Sequence, residues 1–377
     1  MMERPLFNRK QKPHRQHKQA FRKTVLSDPI VIALDAMGGD HAPDIVIKGA
    51  FIARKRFPNL RYILFGDERL IKPLLDKQPG FNDFCSLVHT TPFVRGDDKP
   101  SVALRNSRDS SMRLAIEAVA EAKAAAVVSA GNTGALMAMA KIVLKTLPGI
   151  DRPAMASYFP TIKGESVMLD LGANIQYDAA NLLQFALMGS VFISAVLGVR
   201  MPVIGLLNVG SEDVKGNEIV REANALLRQV KLPGLYHGFI EGDDIAKGTV
   251  DVIVTDGFTG NIALKSIEGT AKLISEYLKQ TFRSSFLAQI GYLFARPALN
   301  TLKVRVDPRR YNGAIFLGLN GVAVKSHGGT DAIGFANAVG VAANMIVHKA
   351  LSKINQDLKL VQDSLQQPSA NSQVSNV

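Results

Sequence analysis

IVIALDAMGGDHAPD, residues 30–44, combines a strand, a loop and the start of a helix. The apolar run Ile30–Leu34 is typical of a buried β-strand. Gly38 and Gly39 then permit a sharp turn, and Pro43 marks a helix start. In a parallel sheet, such a junction offers free backbone N–H groups and a helix dipole to an anion, commonly a phosphate. A tight turn also needs glycine, so both interpretations stay open for this stretch alone. The spacing is not Gly-x-Gly-x-x-Gly and does not indicate a dinucleotide.

Four further segments repeat the pattern of an apolar strand that ends at glycine with Asp, Asn, Ser or Thr. They are SAGNTGALM (129–137), MLDLGAN (168–174), LLNVGSE (206–212) and VIVTDGFTGN (252–261). Because strands and helical segments alternate, the order predicts an α/β fold with a doubly wound, mostly parallel sheet. We expect the carboxyl ends of the strands to converge on a small polar ligand. Helix caps and tight turns explain any single loop well, and the repeated pattern less well.

Length and composition indicate a globular α/β domain with two polar extensions. The chain has 377 residues, 47% of them hydrophobic, and a formal net charge of +12. Residues 1–29 hold eight lysines and arginines against two acidic residues and lack an apolar signal segment, so we expect a basic, disordered arm. Residues 30–360 form the predicted single catalytic domain, and residues 361–377 a flexible polar tail. The basic balance is typical of proteins with acidic partners such as nucleic acid, anionic lipid or an acidic carrier protein.

The single cysteine, Cys85, excludes an intramolecular disulfide and is typical of a reducing compartment, with the cytoplasm as the default. It lies in an apolar strand, where we expect it to pack. No His/Cys spacing indicates a zinc site, so we predict neither a metal nor a cofactor.

The segment Leu182–Val199 contains no charged residue, and its length reaches the lower limit for a membrane span. We favour a helix that is buried inside the protein or in a dimer. Gly189 and Gly198 supply small packing surfaces there, and strands follow immediately. A true membrane span is the alternative.

The segment Leu278–Arg310 departs from the alternation of strands and helices. A long helix is predicted over Ile262–Gln280, and large apolar residues then recur at helical spacing up to Phe294. We expect Pro297 to break this apolar helix. The basic residues that follow are Lys303, Arg305, Arg309 and Arg310. A protruding apolar hairpin of this kind fits a membrane or partner surface as well as it fits core packing.

Five motifs taken in order closely resemble those of the PlsX phosphate acyltransferases, from about Ile30 to Ala350. They are LDAMGGDHAP (34–43), SAGNTGA (129–135), DLGAN (170–174), TDGFTGN (255–261) and KSHGG (325–329). The resemblance implies transfer of a fatty acyl group from acyl carrier protein to inorganic phosphate, which gives acyl phosphate for glycerolipid synthesis. It also implies a Rossmann-like fold related to phosphotransacetylases and isopropylmalate-type dehydrogenases, and a homodimer. Finally, the resemblance implies that the protein associates peripherally with the membrane through the hairpin. There it would hand acyl phosphate to a membrane glycerol-3-phosphate acyltransferase.

Two positions depart from the family pattern. Members commonly have Asp-Cys after the Gly-Ala-Asn motif, whereas this chain has Gln176 and Tyr177, which rules out a catalytic thiol there. Members also commonly carry charge late in the helix that here includes Val191–Ala195, so this helix is unusually apolar. The basic arm lies outside the resemblance.

Attack of phosphate on a thioester needs no enzyme nucleophile, because phosphate supplies an anionic oxygen. The protein must instead orient the reactants and stabilise the developing oxyanion. The catalytic candidates are His41, which is our first choice of proton donor or phosphate partner, Lys215, Asn261 and Lys265. The expected substrate contacts are Asp35, Gly38, Gly39, Asp40, Gly131, Asn132, Thr133, Gly134, Asp170, Asn174, Asp256, Gly260 and His327. A histidine that only orders its loop and a solvated lysine in a first helical turn remain the alternatives for His41 and Lys265.

Two other functions compete with this interpretation. A phosphotransacetylase-like enzyme would use the same attack on an acyl-CoA thioester. A basic nucleic-acid-binding protein would account for the net charge of +12, but that charge is concentrated in the arm, and the loops favour a small anion.

Overall fold

Strands and helices alternate along most of the chain. The computed structural model describes residues 29–366. The strands are Ile30–Asp35 (β1), Leu60–Gly66 (β2), Cys85–His89 (β3), Ala126–Ser129 (β4), Ala154–Thr161 (β5), Gly164–Leu169 (β6), Val203–Leu207 (β7), Leu235–Ile240 (β8), Val252–Val254 (β9), Ala314–Leu317 (β10) and Val322–Lys325 (β11). The helices are Asp44–Arg56 (α1), Glu68–Leu75 (α2), Pro100–Asn106 (α3), Ser111–Ala120 (α4), Thr133–Leu144 (α5), Ala179–Leu197 (α6), Glu218–Gln229 (α7), Gly242–Lys247 (α8), Gly257–Arg283 (α9), Phe286–Val306 (α10), Ala332–Val347 (α11) and Ala350–Gln366 (α12).

The two predicted extensions lie largely outside the described residues. Residues 1–28 of the basic arm and residues 367–377 of the tail are not described. Helix α12 continues to Gln366, so the beginning of the segment that we expected to be a loose tail is helical. Ile354 and Leu358 are buried against the core and anchor this helix.

Helices cover both faces of the sheet and enclose two hydrophobic cores. In β1, Ile32 and Leu34 belong to one core and Ala33 to the other, because successive side chains of a strand point to opposite faces. The first core receives α1, α6, α11 and α12, and the second receives α4 and α5. Burial on both faces explains why the strands read as continuous apolar runs rather than as alternating ones. The predicted doubly wound, mostly parallel sheet is confirmed.

Strand polarity reverses near the middle of the sheet. The strand order is β3-β2-β1-β4-β11-β10-β5-β6-β9-β7-β8. The first five strands in this order are parallel to one another, and so are the last four. Between these groups, β11 and β10, β10 and β5, and β5 and β6 pair antiparallel. The reversals leave the two parallel groups pointing in opposite directions, so their carboxyl ends lie at opposite edges of the sheet.

The five glycine loops therefore do not share one edge, contrary to our expectation. The loops after β1 and β4, joined by the loop after β11, lie at what we call the first edge. The loops after β6, β7 and β9 lie at the second edge. The cause is the pair of antiparallel strands β10 and β5, whose short apolar sequences give no sign of their direction.

Helix α6 contains the uncharged segment that we considered as a membrane span. In the described part of the chain it is the one helix long and apolar enough to cross a bilayer, and 67% of its apolar window is buried inside the protein. Asp178 caps its start by accepting a hydrogen bond from the Asn181 N–H, and Gly198 ends it in a left-handed conformation. It packs against α7, α12 and strands β6 and β9, as the favoured interpretation predicts.

Helices α9 and α10 form a hairpin that projects from the domain. Only Gly257 and Gly260 of α9 are buried, and the arms meet through the rings of Phe282 and Tyr292, whose centroids are 5.4 Å apart. The turn lies at Ser284 and Ser285. The first arm is thus the whole of α9, and the hairpin begins well before the predicted boundary at residue 278.

The expected break at Pro297 does not occur, because α10 runs through this residue. Proline removes one backbone donor from a helix. On a solvent-exposed helix, water can replace the missing bond, and the cost is a local bend rather than an end.

Candidate functional site

Backbone hydrogen bonds join the loops at the first edge into one surface. We call it the first-edge cluster, and it consists of Asp35–Asp40, Ser129–Gly134 and Lys325–Gly329. The Asp40 N–H donates to the carbonyl of Gly328 at 3.0 Å, and the Ser326 N–H donates to the carbonyl of Ser129 at 2.9 Å. The cluster forms because β1, β4 and β11 are adjacent and parallel. Their carboxyl ends must therefore emerge side by side.

Gly38 and Gly39 let the β1 loop pack directly on the β4 loop. A Cβ atom on Gly38 would lie 2.4 Å from Oδ2 of Asp35 and 2.8 Å from the backbone nitrogen of Gly131. Gly39 has a φ of +106°, and its Cβ would meet that of Ala130 at 2.9 Å. Glycine is thus required here both for the turn and for close backbone approach.

Asp35 holds the loops of the first-edge cluster together through hydrogen bonds. Its carboxylate is buried and accepts hydrogen bonds from the hydroxyls of Ser111 and Ser129, each at 2.6 Å. Burial raises the pKa of Asp35, and these hydrogen bonds oppose that rise. A carboxylate with both oxygens engaged by the protein holds loops in place, whereas the sequence suggested Asp35 as a substrate contact.

Lys325 is a member of the cluster whose role the sequence did not reveal. It is only 8% exposed at the end of β11, and its Nζ donates to the carbonyl of Ala130 at 3.4 Å and to that of Ser326. Burial lowers the pKa of Lys325 to about 8, and the negative charges of Asp35 and Asp40 oppose the shift. The available signal was a lysine that ends the apolar run Val322–Val324 just before a polar loop.

His327 and Lys265 lie at the rim of this cluster. The Gly329 N–H donates to Nδ1 of His327 at 3.2 Å, so the neutral imidazole carries its proton on Nε2. Loss of solvent lowers the pKa of His327, and the nearby charge of Lys265 lowers it further. Lys265 is itself exposed and paired with Glu268 at 3.3 Å.

His41 lies in the loop between β1 and α1. The residue is exposed, and its carbonyl accepts a hydrogen bond from the Ile45 N–H at 3.2 Å. His41 and His327 are therefore exposed residues of adjoining loops at the first edge, and Lys265 on α9 is exposed as well.

Asn132 is committed to structure rather than free for a ligand. Its Oδ1 accepts from the Ala135 N–H at 2.9 Å and caps α5. Its Nδ2 donates to the carbonyls of Gly96 and Asp98, each at 2.9 Å, and so fastens the loop before α3. The backbone N–H groups of the first turn, at Thr133 and Gly134, have no intrahelical acceptor. Amides of this kind at a helix start suit an anion, so Thr133 and Gly134 stay predicted contacts.

The loops at the second edge form what we call the second-edge cluster: Asp170–Asn174, Asn208–Lys215 and Asp256–Asn261. Asp170 is buried and accepts hydrogen bonds from the backbone N–H groups of Met155, Ala173 and Asn174 at 2.9, 3.0 and 2.6 Å. Asn174 Nδ2 donates to Asp170 at 2.9 Å and to the carbonyl of Pro153 at 2.8 Å. Both side chains are thus occupied in holding the loop.

Asp256 and Gly260 join this cluster to α9. The Asp256 carboxylate caps the helix by accepting from the N–H groups of Phe258 and Thr259, each at 2.9 Å. A Cβ on Gly260 would lie 1.9 Å from the Asp170 carbonyl oxygen, so α9 starts in tight contact with the β6 loop. Asn261 is exposed beside Gly172, and Lys215 is exposed in the loop after β7.

Helix α9 connects the two edges. It starts at the second edge, and the charge of Lys265, about two turns later, acts on His327 and Lys325 at the first edge. Asn261 and Lys265 are one turn apart on the same helix face, about 6 Å along the axis. The candidates that the sheet separates are therefore brought near one another by this helix.

Cys85, which we expected to pack, is partly buried in β3. Burial raises the pKa of its thiol to about 12. A thiol in that state is a poor nucleophile.

Comparison with known proteins gives concordant results. A family model described as a fatty acid synthesis protein matches residues 30–353. The phosphate acyltransferase of Rhodospirillum centenum is 63% identical over 90% of this chain and 96% of its own length. That of Paramagnetospirillum magneticum is 58% identical over 91% of this chain and 98% of its own length.

Solved structures show the same fold in more distant proteins. A phosphotransacetylase from Streptococcus pyogenes aligns with a TM-score of 0.55 at 17% identity, over 86% of this chain and 94% of that one. The EutD phosphotransacetylase from Staphylococcus aureus aligns with a TM-score of 0.54, also at 17% identity and with the same coverage. At this level of identity the likeness concerns the fold alone.

Proposed function

Because this chain belongs to the phosphate acyltransferase family, we propose that it transfers a long-chain fatty acyl group from acyl carrier protein to inorganic phosphate. The product, an acyl phosphate, would enter glycerolipid synthesis. The observation that carries the proposal is the 63% identity over 90% of the chain to a relative named phosphate acyltransferase. The first-edge cluster supports it, since it brings the buried ammonium of Lys325 and the first-turn amides of α5 into neighbouring loops.

The reaction needs few covalent steps from the protein. A phosphate oxygen attacks the thioester carbonyl carbon, the tetrahedral oxyanion collapses, and the carbon–sulfur bond breaks. The thiolate leaves on the carrier and takes a proton. We assign phosphate to the first-edge cluster, where the amides of Thr133 and Gly134 can also stabilise the oxyanion. His41 remains our proposed proton donor, with His327 in the same cluster and Lys265 near it.

The second-edge cluster is assigned to the acyl donor. Asn261 and Lys215 are its exposed polar groups, and Asn261 lies one helical turn before Lys265. A thioester that lies along this part of α9 would therefore present its carbonyl towards the first edge. In this arrangement phosphate and donor approach from different edges of the sheet.

The decisive experiment incubates the purified protein with palmitoyl-acyl carrier protein and labelled phosphate. We expect labelled acyl phosphate. Folded protein that yields no labelled product from intact substrate would overturn the proposed function.

A phosphotransacetylase-like use of acyl-CoA is the second candidate, favoured by the fold shared with phosphotransacetylases. The same assay with palmitoyl-CoA in place of the carrier separates the two. Turnover with the carrier substrate but not with the coenzyme A thioester would dismiss this candidate.

We also propose a cytoplasmic homodimer that associates peripherally with the membrane through the α9–α10 hairpin. Support comes from the exposed apolar residues near the turn, among them Phe286 at 76%, Leu287 at 79% and Phe294 at 83%. Arg283 and Arg296 lie beside them and would attract anionic lipid. Delivery at the membrane would allow hand-off of acyl phosphate to a membrane glycerol-3-phosphate acyltransferase.

Replacing Phe286 and Ile290 together by aspartate should release the protein from anionic liposomes, since charge in the apolar layer is costly. Turnover of soluble substrates should be spared. Ile162→Asp is the matched control, because Ile162 is 78% exposed on the β5–β6 turn, away from the hairpin. If the double variant still binds liposomes in a flotation assay, the hairpin is not the membrane contact. It would then be interpreted as a surface for a protein partner.

A further inference from the structure

Lys325 is unusual because a lysine ammonium is buried without a carboxylate in direct contact. Moving such a cation out of water costs several kcal/mol unless it is paired or hydrogen-bonded. The carboxylate oxygens of Asp35, which lie nearby on β1, are engaged by Ser111 and Ser129. Asp40 acts on Lys325 only through space. The charge is therefore compensated in part, which is costly for a group with only a structural task.

The hydrogen bonds of Lys325 aim the ammonium and leave it one free donor. The carbonyls of Ala130 and Ser326 accept two of its hydrogens. An ammonium has three donors. In residues 29–366, these two carbonyls are the acceptors within hydrogen-bond distance of Nζ. The third N–H is left for a group that the chain itself does not supply.

The surroundings of Lys325 match an anion rather than another kind of ligand. The carbonyl of Ala130 belongs to the loop that leads into α5, so the ammonium lies next to the loop that carries the helix amides at Thr133 and Gly134. Amide donors at a helix start and an ammonium together form the setting in which proteins bind phosphate. The positive charge of Lys265 on α9 acts on Lys325, and His327 follows Lys325 by two residues in the same loop.

We propose that Lys325 binds the acyl-accepting phosphate, using its free N–H as a charge-assisted donor that the carbonyls of Ala130 and Ser326 hold in position. The inference rests on the proposed function for the identity of the phosphate as acyl acceptor. It makes Lys325 a substrate-binding residue that fixes the nucleophile at the first edge. The bound phosphate, in turn, compensates the buried charge.

Steady-state kinetics of Lys325→Met test the proposal. A charge-assisted hydrogen bond contributes about 1.5–3 kcal/mol, so the KM for phosphate should rise roughly 10- to 100-fold. The KM for the acyl carrier substrate should stay within about twofold. Lys163→Met is the matched control, because Lys163 is exposed on the β5–β6 turn, and it should leave both constants unchanged. An unchanged KM for phosphate, or an increase confined to the acyl donor, would overturn the proposal.

The pH dependence provides a readout that a merely structural lysine would not give. The pKa of Lys325 is lowered to about 8, so the ammonium loses its charge as pH rises through this value. The wild-type KM for phosphate should therefore increase above pH 8, where phosphate itself is already the dianion. In Lys325→Arg the guanidinium stays charged, so the KM for phosphate should no longer increase above pH 8. The groups that face Lys325 are Asp35, Asp40, Lys265 and His327. If the KM for phosphate increases equally above pH 8 in both proteins, Lys325 does not bind phosphate.

Phosphate binding without turnover separates this inference from the proposed function. Inorganic phosphate should raise the melting temperature of the wild-type protein with the logarithm of its concentration above Kd, and it should raise that of Lys325→Met much less. If no acyl phosphate forms but this difference is seen, the proposed function fails and the phosphate site stands. Equal shifts in the two proteins would reject the phosphate site. If Lys325→Met does not fold, the wild-type and Lys325→Arg pH profiles decide.

Discussion

The two loop clusters have similar sequences, in which glycine stands beside Asp, Asn, Ser or Thr. They differ in how many hydrogen-bond donors remain unused by the fold. At the second edge, the side chains of Asp170 and Asn174 form their hydrogen bonds with neighbouring groups of the protein. At the first edge, Asp35 and Asn132 do the same, but Lys325 and the start of α5 keep donors free.

This difference explains why a polar loop at a strand end is an ambiguous signal. A buried carboxylate that accepts several N–H groups stabilises a turn, and burial raises the pKa of Asp35 and Asp170 alike. Ligand binding requires donors or charges that the fold has not used. Only the first edge adds a buried cation to such donors among the residues that the structure describes.

The largest expected effect concerns stability at the second edge. Gly260→Ala places a Cβ 1.9 Å from the Asp170 carbonyl oxygen, a backbone atom that cannot move away cheaply. We expect a loss of about 3 kcal/mol in the free energy of unfolding. Gly269→Ala is the control on the same helix, since nothing lies within 4 Å of its Cβ, and it should gain up to about 1 kcal/mol. Denaturant unfolding measures both, and equal stabilities would show that the second edge is looser than described.

His41→Ala tests chemistry at the first edge. If His41 is the proton donor, turnover should fall roughly 100-fold, within the range for general acid–base groups. The melting temperature should stay near that of the wild type, because the residue is exposed. Near-normal turnover would show that the loop around His41 has only a structural role, and the chemistry would then be assigned to Lys215, Lys265 or His327.

The smallest expected effect separates the two edges by substrate. Asn261→Ala removes an exposed amide and keeps the Cβ beside Gly172, so the fold should be preserved. Loss of one hydrogen bond should raise the KM for the acyl carrier substrate roughly fivefold. The KM for phosphate should not change. If the phosphate constant rises instead, the division of substrates between the edges is wrong.

Much of the fold was readable from local patterns. The continuous apolar strands, their alternation with helices and the five motifs predicted the α/β class, and the resemblance to the phosphate acyltransferases is confirmed by the family comparison. The burial of α6 followed from its small residues. Each of these properties depends on residues that are neighbours in the sequence.

The arrangement of the loops was less accessible, because it depends on strand direction. Strands β5 and β10 are apolar runs whose periodicity is the same in either direction, so the reversal of the sheet leaves no local trace. Lys325 was visible as part of a motif, but its burial results from three adjacent strands that meet at one edge. The commitment of Asn132 to residues 96–98 is likewise a tertiary contact.

Helix α9 has 27 residues and therefore extends about 40 Å. Its base is fixed by the Asp256 cap and the tight seat of Gly260, and its remaining length stands clear of the domain. Such a helix acts as a lever with its fulcrum at the second edge. A tilt of about 5° at the fulcrum displaces the tip by roughly 3 Å, and Lys265, near the pivot, by less than 1 Å. In the proposed membrane role, the far end of the hairpin would therefore adjust to the bilayer surface while Lys265 hardly moves.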